Sequence, residues 1–489
     1  MYIPISRRDF VKLTGAVTVG ALAGPGIFSS AEAASPMAAA DGKVTYGGHE
    51  IPLLYQAECC VIGGGPAGTA AAVNAAKNGA RTVLIERGVV LGGMQTLGLV
   101  VPFMPTFAPE SDTPYVTRVK TKMREHGIEM SDGITEYGWS NPEALAAVYD
   151  ELCAEAGVEI LYHTVLVDVI MEQKKIRMCI VQTIAGLAAV TADVFIDGSG
   201  DALLARLAGV PTEKGSAKTG RNQPMSFRFE MGGIDMDALY QYDVGELHDE
   251  WCKTKPPYFE IAEARGRTTR YKLEDFFQQG VASGELQKED ADYIQAFAII
   301  GKPGTMSMNC PELPAQFSAT DPLSYSRAVS YGRVMIRRIS QYLVRHMPGF
   351  EHAYISREAS MLGARESWRI RGKYYMTEDD YHNRSRFPDA VARTAWYIDA
   401  HGERVDEKLP KGEFYEIPYR ALITEEVPNL LVAGRCISAS FVLQASMRIQ
   451  PTCMSIGEAA GIAAAWGLKH QLAPNALKWE EIPREKRSY

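Results

Sequence analysis

A glycine-rich turn between a short apolar run and an alanine-rich stretch limits most strongly how this chain can fold. The run Cys59–Ile62 predicts a buried parallel strand, and the glycines of Gly63–Gly68 follow it directly. Pro66–Asn78 predicts a helix, and Arg81–Glu86 predicts a second strand. The segment therefore reads as a βαβ unit, and the predicted fold class is α/β.

The spacing of these glycines is typical of a dinucleotide site. Gly63 allows the tight turn out of the strand, Gly65 lets a diphosphate approach the backbone, and Gly68 permits close packing of helix on strand. The first helical amides and the helix dipole attract phosphate, and Glu86 can accept hydrogen bonds from ribose hydroxyls. The alternative, a glycine-rich turn without a ligand, would not require this strand–turn–helix–strand–Glu order.

Further elements follow the same alternation of strand and helix. We predict a helix over Pro142–Ala156, strands within Glu159–Ile170, a hairpin of Ile176–Ile184 and Leu187–Val190, a strand at Val194–Ile196, mixed structure over Thr212–Tyr415, a strand at Asn429–Ala433 and a helix over Cys453–Gly467.

Two of these segments indicate which dinucleotide is bound. Asn429–Arg435 resembles the second flavin motif of glutathione-reductase-type flavoproteins, and Phe195–Asp201 resembles the middle motif of the same fold. A nicotinamide dehydrogenase would need neither. Five more stretches are similar to the FAD-dependent oxidoreductase family, which includes the flavin portion of the heterodisulfide reductase A subunit: Leu91–Val100, Gln223–Phe227, Arg365–Ile370, Ile398–His401 and Pro451–Met454.

The resemblance implies FAD as cofactor and a glutathione-reductase-type, Rossmann-like FAD/NAD(P)-binding domain with an inserted α+β substrate domain. It divides the chain into FAD-binding parts at 56–215 and 415–475, a substrate or cap domain at 216–414 and a C-terminal tail at 476–489. The residues it places at the cofactor are Gly63, Gly65, Pro66, Ala67, Gly68, Glu86, Arg87, Gly92, Gly93, Met94, Val165, Gly198, Gly200, Asp201, Gly434, Arg435, Pro451 and Thr452.

Two features depart from the relatives or need a separate interpretation. Many relatives carry an acid where this chain has Arg435, so the contact to the ribityl chain must differ. Pro451 and Thr452 precede a helix of small residues, whose first amides would face the N1–C2=O edge of the flavin and stabilise negative charge there. Simple packing of that helix against the sheet is compatible with the same residues.

Arginines in the inserted domain are the first candidates for substrate chemistry. Arg365 and Arg369 are four residues apart, which predicts a shared helix face that could clamp a carboxylate or polarise a carbonyl. The alternative is a salt-bridge cluster with Glu366.

Asp399 and His401 would alternate onto one face of a strand, with His401 as proton donor or acceptor or as an ordinary loop histidine. Arg448 should lie near the flavin. Cys310 is either a site thiol or, as is usual for a free cysteine, a packed one. The resemblance implies hydride exchange between flavin N5 and a small polar or anionic metabolite, with an unknown electron donor or acceptor. A lyase or hydratase with non-redox FAD and an electron-transfer subunit are the alternatives.

The first residues predict export. Ser6–Lys12 reads as a twin-arginine signal, a mild apolar run follows, and Ala31–Ala33 offers a cleavage site, so we expect a signal at 1–34, a linker at 35–55 and a periplasmic or other extracytoplasmic location. An uncleaved anchor is the alternative.

Net charge and cysteine spacing argue against several classes of partner and cofactor. The net charge of -8 and the lack of a basic stripe argue against nucleic acid, and no apolar stretch is long enough to span a membrane. The eight cysteines are scattered and form no C-x-x-C pair, so neither a metal site nor an iron–sulfur cluster is expected. Cys59 and Cys60 are expected to be buried in the first strand.

Overall fold

The computed structural model describes residues 42–128, 138–242, 260–264, 273–401 and 408–489. The predicted signal, the start of the predicted linker and Cys252 lie outside these ranges.

The strands and helices are numbered here in chain order. The strands are β1 (Lys43–Tyr46), β2 (His49–Gln56), β3 (Cys59–Ile62), β4 (Thr82–Ile85), β5 (Pro102–Phe103), β6 (Gly138–Trp139), β7 (Glu159–Leu161), β8 (Val165–Glu172), β9 (Lys175–Thr183), β10 (Gly186–Thr191), β11 (Val194–Asp197), β12 (Thr212–Lys214), β13 (Phe229–Gly232), β14 (Glu260–Ala264), β15 (Tyr293–Ala298), β16 (Met306–Met308), β17 (Tyr354–Glu358), β18 (Trp368–Ile370), β19 (Ala390–Thr394), β20 (Tyr415–Pro418) and β21 (Leu430–Val432). The α-helices are α1 (Pro66–Lys77), α2 (Pro114–Glu125), α3 (Pro142–Ala156), α4 (Leu203–Leu207), α5 (Met236–Tyr240), α6 (Glu274–Ser283), α7 (Pro322–His346), α8 (Glu378–His382), α9 (Gln444–Met447) and α10 (Gln450–His470).

A five-stranded parallel sheet forms the centre of the nucleotide-binding part. Its strand order is β21-β11-β3-β4-β7. Strand β21, from the C-terminal part of the chain, pairs with β11, and β11 pairs with β3, the strand that leads into the glycine-rich turn. Strands β3, β4, β11 and β21 are buried along their whole length, as expected for a parallel sheet covered on both faces. The predicted βαβ unit is confirmed.

Helices α1 and α10 pack directly against each other beside this sheet. A Cβ atom added to Gly457 would lie 2.1 Å from the carbonyl oxygen of Ala67, and one added to Gly461 would lie 2.2 Å from that of Ala71. The paired residues advance together along both helices, so the helices run parallel. Their N-termini, at Pro66 and Gln450, therefore lie at the same end of the pair.

A second five-stranded sheet has the order β1-β2-β10-β9-β8. The predicted hairpin is present as antiparallel β9 and β10. Residues 43–55, which the sequence predicted to be linker, instead form β1, the turn after it and most of β2, and β2 pairs in parallel with β10. The short apolar run Ile51–Tyr55 was the available signal, and Ile51 is buried.

The inserted part contains a third five-stranded sheet, with the order β14-β15-β16-β13-β17. The long helix α7 contributes Met335, Ile336 and Ile339 to the apolar core of this part, together with Phe227 and Phe229. The sheet is antiparallel throughout its pairings. The part of the chain inserted between the two segments that build the parallel sheet therefore contains both helices and an antiparallel sheet.

Candidate active site

The glycine-rich turn leaves open space at the first turn of α1. Gly63 has a φ of +93°, and a Cβ atom there would lie 2.8 Å from the Cα atom of Ser199, so this turn requires glycine. A Cβ atom added to Gly65, in contrast, would meet nothing within 4 Å. Gly65 caps α1 without a side-chain hydrogen bond, so the amides of Ala67 and Gly68 lack a partner within the helix. This space and these donors fit a diphosphate.

Glu86 is buried at the end of β4 and binds the neighbouring loops. Its Oε2 atom accepts from the N–H of Gly64 at 2.6 Å, and its Oε1 atom accepts from the N–H of Gly88 at 2.7 Å. A carboxylate has about four lone-pair sites, so both oxygens can still accept from ribose hydroxyls. Arg87, the next residue, is exposed.

The loop after β4 covers the same turn. The N–H of Gly92 donates to the carbonyl of Gly64 at 2.8 Å, and a Cβ atom added to Gly93 would lie 3.1 Å from the Cα atom of Gly65. Met94 follows in the same short 3-10 turn. Val165 begins β8, next to Thr164, whose N–H donates to the carbonyl of Glu86 at 3.0 Å. The structure thus brings these predicted cofactor residues to one region.

The tips of β11 and β21 lie beside this region. The N–H of Gly198 donates to the carbonyl of Ile62 at 2.8 Å, and a Cβ atom added to Gly434 would lie 2.9 Å from the Cβ atom of Ala67. Arg435 and Asp201 form an ion pair at 2.5 Å. A Cβ atom added to Gly200 would lie 3.4 Å from the Arg435 guanidinium. The acid at this position is therefore Asp201, from the loop after β11, and not the residue after Gly434.

Pro451 and Thr452 lie inside the first turn of α10, which begins at Gln450 and not after these residues as predicted. The N-cap, Ile449, provides no side-chain hydrogen bond. The Thr452 Oγ1 atom is buried without a partner among the described residues. This helix start therefore offers free amides and a hydroxyl at the end of the pair where α1 also begins.

Two more buried polar atoms near this helix start lack a partner within the described ranges, Nε2 of Gln223 and Oε1 of Gln444. The other amide atoms of both residues are held: Gln223 Oε1 accepts from Arg448 at 3.1 Å, and Gln444 Nε2 donates to the carbonyl of Arg365 at 3.2 Å. Unsatisfied buried polar groups are costly, and they indicate where a ligand supplies the missing partners. The open turn at Gly65 and these three orphaned atoms fit a long bipartite cofactor such as FAD.

Arg448 links the helix start to the inserted part. Its Nη2 atom donates to the carbonyl of Asp399 at 2.7 Å and contacts the Asp399 carboxylate at 3.2 Å. Its Nη1 atom donates to the carbonyl of Arg365 at 2.9 Å. Burial is the main reason why the pKa of Arg448 is lowered to about 10; the positive charges of Arg365 and Arg435 lower it further, and Asp399 opposes the shift. Arg448 thus remains charged at neutral pH.

His401 lies between two carboxylates. Its Nδ1 atom is 2.6 Å from Oε2 of Glu312, and its Nε2 atom is 3.2 Å from Oδ1 of Asp399. Arg365 reaches the same Glu312 oxygen at 3.3 Å and donates to the carbonyl of Pro224 at 2.7 Å. The predicted residues Arg365, His401 and Arg448 are therefore brought together.

The carboxylates of this cluster are held in the ionised form. Burial by itself raises the pKa of Asp399, but His401, Arg448 and Arg365 together hold it well below its usual range. Burial also opposes ionisation of Glu312, yet Arg365 and then His401 lower the pKa of that carboxyl. Charge pairing outweighs desolvation at both sites.

Two local predictions about this region are wrong. Arg365 and Arg369 do not share a helix face, because Trp368–Ile370 forms strand β18 and pairs with β12. Asp399 and His401 do not lie on a strand, since β19 ends at Thr394. Asp399 and His401 nevertheless contact each other, because the loop returns its side chains to the same cluster.

Arg369 lies in a separate buried cluster. It forms an ion pair with Glu366, contacts Glu213 at 3.2 Å and donates to the carbonyl of Ala439 at 3.0 Å. Glu366 also accepts from the N–H of Gly215 and from Asn222. These contacts match the salt-bridge alternative for Arg369, whereas Arg365 joins the His401 cluster.

Sequence reasoning missed Glu312 and the role of Tyr293. The Tyr293 ring meets the His401 ring edge-on at 5.5 Å, and the Arg365 guanidinium lies 5.7 Å from the Tyr293 ring centre. Neither residue belongs to a motif with fixed spacing, so no local signal was available. Gln223 could have been identified from the sequence, because it begins one of the stretches that resemble the family.

The described cysteines, among them Cys59, Cys60 and Cys310, are buried and free. Within the described ranges, no group of three or more His, Cys, Asp or Glu residues is placed to hold a metal ion. In the same described ranges, no helix is both long and apolar enough to cross a membrane.

Comparisons with known proteins find one curated relative and several solved structures that are similar to this chain. One curated relative, the thiamine thiazole synthase of Methanococcus maripaludis, is 30% identical over 134 residues, which are 27% of this chain and 48% of the relative, so the chain spans about half the length of that relative. Among solved structures, a geranylgeranyl bacteriochlorophyll reductase-like protein from Thermoplasma acidophilum matches with 14% identity and a TM-score of 0.43, covering 89% of this chain and 84% of the other. L-proline dehydrogenase from P. horikoshii matches with 13% identity and a TM-score of 0.41, covering 87% and 96%.

The family model described as FAD dependent oxidoreductase matches residues 58–485, which include both segments of the parallel sheet and the inserted part. FAD is therefore the cofactor, and the protein is an enzyme: the chain belongs to the FAD dependent oxidoreductase family.

Proposed function

We propose that this enzyme is exported and that it exchanges a hydride between FAD and a small polar or anionic metabolite. The single observation that carries the proposal is the gathering of Arg365, His401 and Arg448 beside the uncapped start of α10. Bound FAD supplies the hydride donor or acceptor. The residues of the chain bind the substrate, orient it and hold the proton.

Arg365 has donors to spare for a substrate. A guanidinium carries five N–H groups, and the described hydrogen bond and ion pair of Arg365 both use its Nη1 atom. Its remaining donors suit a carboxylate or carbonyl oxygen. Arg448 is more heavily engaged, with Asp399, Gln223 and the carbonyl of Arg365, so its role is to fix these groups and to contribute positive charge.

The proposed architecture is a glutathione-reductase-type FAD domain in two parts, 56–215 and 415–475, with 216–414 as the substrate domain. Glu312, Arg365 and His401 come from the proposed substrate domain, whereas Arg448 and Thr452 come from the second FAD-binding part. Contacts between these groups support a substrate position where the two parts meet.

The catalytic proposal is tested with purified holoprotein under anaerobic conditions. The oxidised form is screened with small hydroxy and amino acids for bleaching of the flavin, and the chemically reduced form is screened with oxo acids and unsaturated acids for reoxidation. We expect one group of anionic metabolites to react in one direction, and Arg365→Gln to raise KM. Lack of reaction with every compound in both directions would contradict the proposal.

Export is proposed from Arg7 and Arg8 and from the small residues at Ala31–Ala33. Fractionation of cells that express the full chain should place the mature protein outside the cytoplasm. Replacing both arginines by lysine should retain it inside, because twin-arginine transport requires the pair. Unchanged export of the double variant would exclude this route.

A further inference from the structure

The loop after β4, residues 91–100, contacts two parts of the FAD site. Near its beginning it lies against the diphosphate turn, where the N–H of Gly92 donates to the carbonyl of Gly64 at 2.8 Å. Further along, the side chain of Gln95 bonds that of Gln450, the first residue of α10. One short loop therefore connects the diphosphate turn with the start of α10.

The contact between this loop and α10 is part of a buried chain of hydrogen bonds. Tyr149, on α3, donates its hydroxyl to Oε1 of Gln95. Nε2 of Gln95 donates to Oε1 of Gln450 at 2.7 Å, and Nε2 of Gln450 donates to the carbonyl of Val100 at 3.0 Å. Tyr149, Gln95 and Gln450 are all buried. In both amides, the oxygen and the nitrogen thus each have a partner.

The two ends of this chain fix the orientation of both amides. A backbone carbonyl only accepts, so Gln450 must turn its NH₂ group to Val100 and its oxygen to Gln95. Gln95 must then present its NH₂ group to Gln450, which leaves its oxygen for Tyr149. Burial raises the pKa of Tyr149 well above its usual range, and Tyr115 adds to the shift, so the phenol keeps the proton that it donates. Turning one amide alone would place like groups against each other and leave them unsatisfied.

The amide pair lies next to the groups at the start of α10 that are free for a ligand. Gln450 directly precedes Pro451 and Thr452, and the Thr452 hydroxyl is buried without a partner among the described residues. Ile449, on the other side, adds no side-chain cap to the helix. A fully satisfied buried polar pair allows only one arrangement of its neighbours, whereas two apolar side chains tolerate sliding. The pair therefore sets how the loop and the helix start lie relative to each other.

We infer that Gln95 and Gln450 are positioning residues of the FAD site. Their paired amides fix the first turn of α10 against the loop that covers the diphosphate turn, and Gln95 acts on FAD through Gln450. Without the pair, FAD binding must itself order the loop and the helix start, and this cost weakens the affinity. The role concerns binding of the cofactor, goes beyond the proposed reaction and is independent of its substrate.

The test measures FAD affinity in the full-length apoprotein. Gln95→Met and Gln450→Met replace each amide by an unbranched apolar side chain, and Gln341→Met, at an exposed position of α7, is the control. We expect either change in the pair to weaken FAD binding about tenfold, because one amide is left with an unsatisfied group. The control should bind FAD as the wild type does.

The double variant Gln95→Met/Gln450→Met shows whether the two residues act together. Since Gln95 acts through Gln450, the double variant should bind FAD no more weakly than Gln450→Met alone. Losses that multiply in the double variant, or wild-type affinity of Gln95→Met, would overturn the positioning role.

Gln95→Glu separates positioning from simple packing. A protonated carboxyl has one O–H donor for Gln450 and still accepts from Tyr149, whereas a carboxylate only accepts and would face the Gln450 oxygen. We expect wild-type FAD affinity at pH 5.5 and an affinity about tenfold below that of the wild type at pH 8.5, with circular dichroism showing a folded apoprotein at both. A loss of equal size at both pH values would mean that the pair only fills space, and would overturn the inference.

Discussion

The carbonyl oxygen of Ala67 lies only 2.1 Å from the position that a Cβ atom would take on Gly457. This contact joins the first turn of α1 to the first half of α10, although the two residues are far apart in the chain. Because the helices are parallel, it sets the distance between their N-termini. The diphosphate turn and the helix start beside Arg448 are therefore held as one unit.

Gly457→Ala should loosen this unit. The new methyl group would meet rigid backbone, and overpacking of this kind costs about 1–3 kcal/mol, more than the roughly 1 kcal/mol that alanine gains over glycine in a helix. We expect a lower free energy of unfolding in denaturant titration and reduced FAD retention. Lys469→Ala, at the exposed end of the same helix, should change stability by less than about 0.5 kcal/mol. Equal behaviour of the two variants would contradict the contact.

Gly65 provides a test of the diphosphate position that leaves the fold intact. Since a Cβ atom there meets no protein atom within 4 Å, both Gly65→Ala and Gly65→Val should fold with native circular dichroism. A side chain would occupy the space for the diphosphate, so FAD content should fall with alanine and vanish with valine. The readout is bound flavin per folded chain. Full occupancy in the valine variant would show that the site is misplaced.

The sequence was most informative where one local pattern determines both structure and chemistry. The βαβ unit, the hairpin and helix α3 follow from periodicity and from glycine and proline positions, and α3 matches its predicted bounds, Pro142–Ala156. Asn141 caps this helix by accepting from two backbone amides, and Gly157 ends it in the left-handed region. Capping residues lie within a few positions of the helix end, so the end can be predicted from the local sequence.

Contacts between distant segments could not be predicted from the sequence. The Glu312–His401 pair joins a residue outside every motif to a loop for which the sequence predicts a strand. The spacing of Arg365 and Arg369 suits a helix, but pairing of β18 with β12 overrides this pattern and sends the two side chains to different clusters. Tertiary pairing determines backbone conformation there, and no short window of sequence contains it.

Arg369→Met tests the structural role of the Arg369 cluster. Glu366 is fully buried, and removing its cation should cost about 3–5 kcal/mol of the free energy of unfolding, as for other buried pairs that lose one partner. The double variant Glu366→Gln/Arg369→Met should recover part of this loss in the same titration. If Arg369→Met kept full stability but lost activity, Arg369 would belong to the reaction and not to the fold.

Glu458, buried in α10, should make stability depend on pH. Burial raises its pKa to about 6 from 4.5, although Thr113 and the N–H of Tyr115 partly oppose the shift. The folded state thus binds the proton more tightly, and its contribution to stability is present below about pH 4.5 and is lost as pH rises through 6. Glu458→Gln should be more stable than wild type by up to about 2 kcal/mol at pH 7.5 and equal to it near pH 4.5. An advantage that does not change with pH would contradict this shift.

The most direct measurement of the central claim is the absorbance spectrum of the purified chain, followed by identification of the released cofactor by mass spectrometry. If the turn at Gly65 and the start of α10 together hold one dinucleotide, the protein is yellow and releases FAD in proportion to folded chain. A folded protein that stays colourless after incubation with FAD would contradict the account.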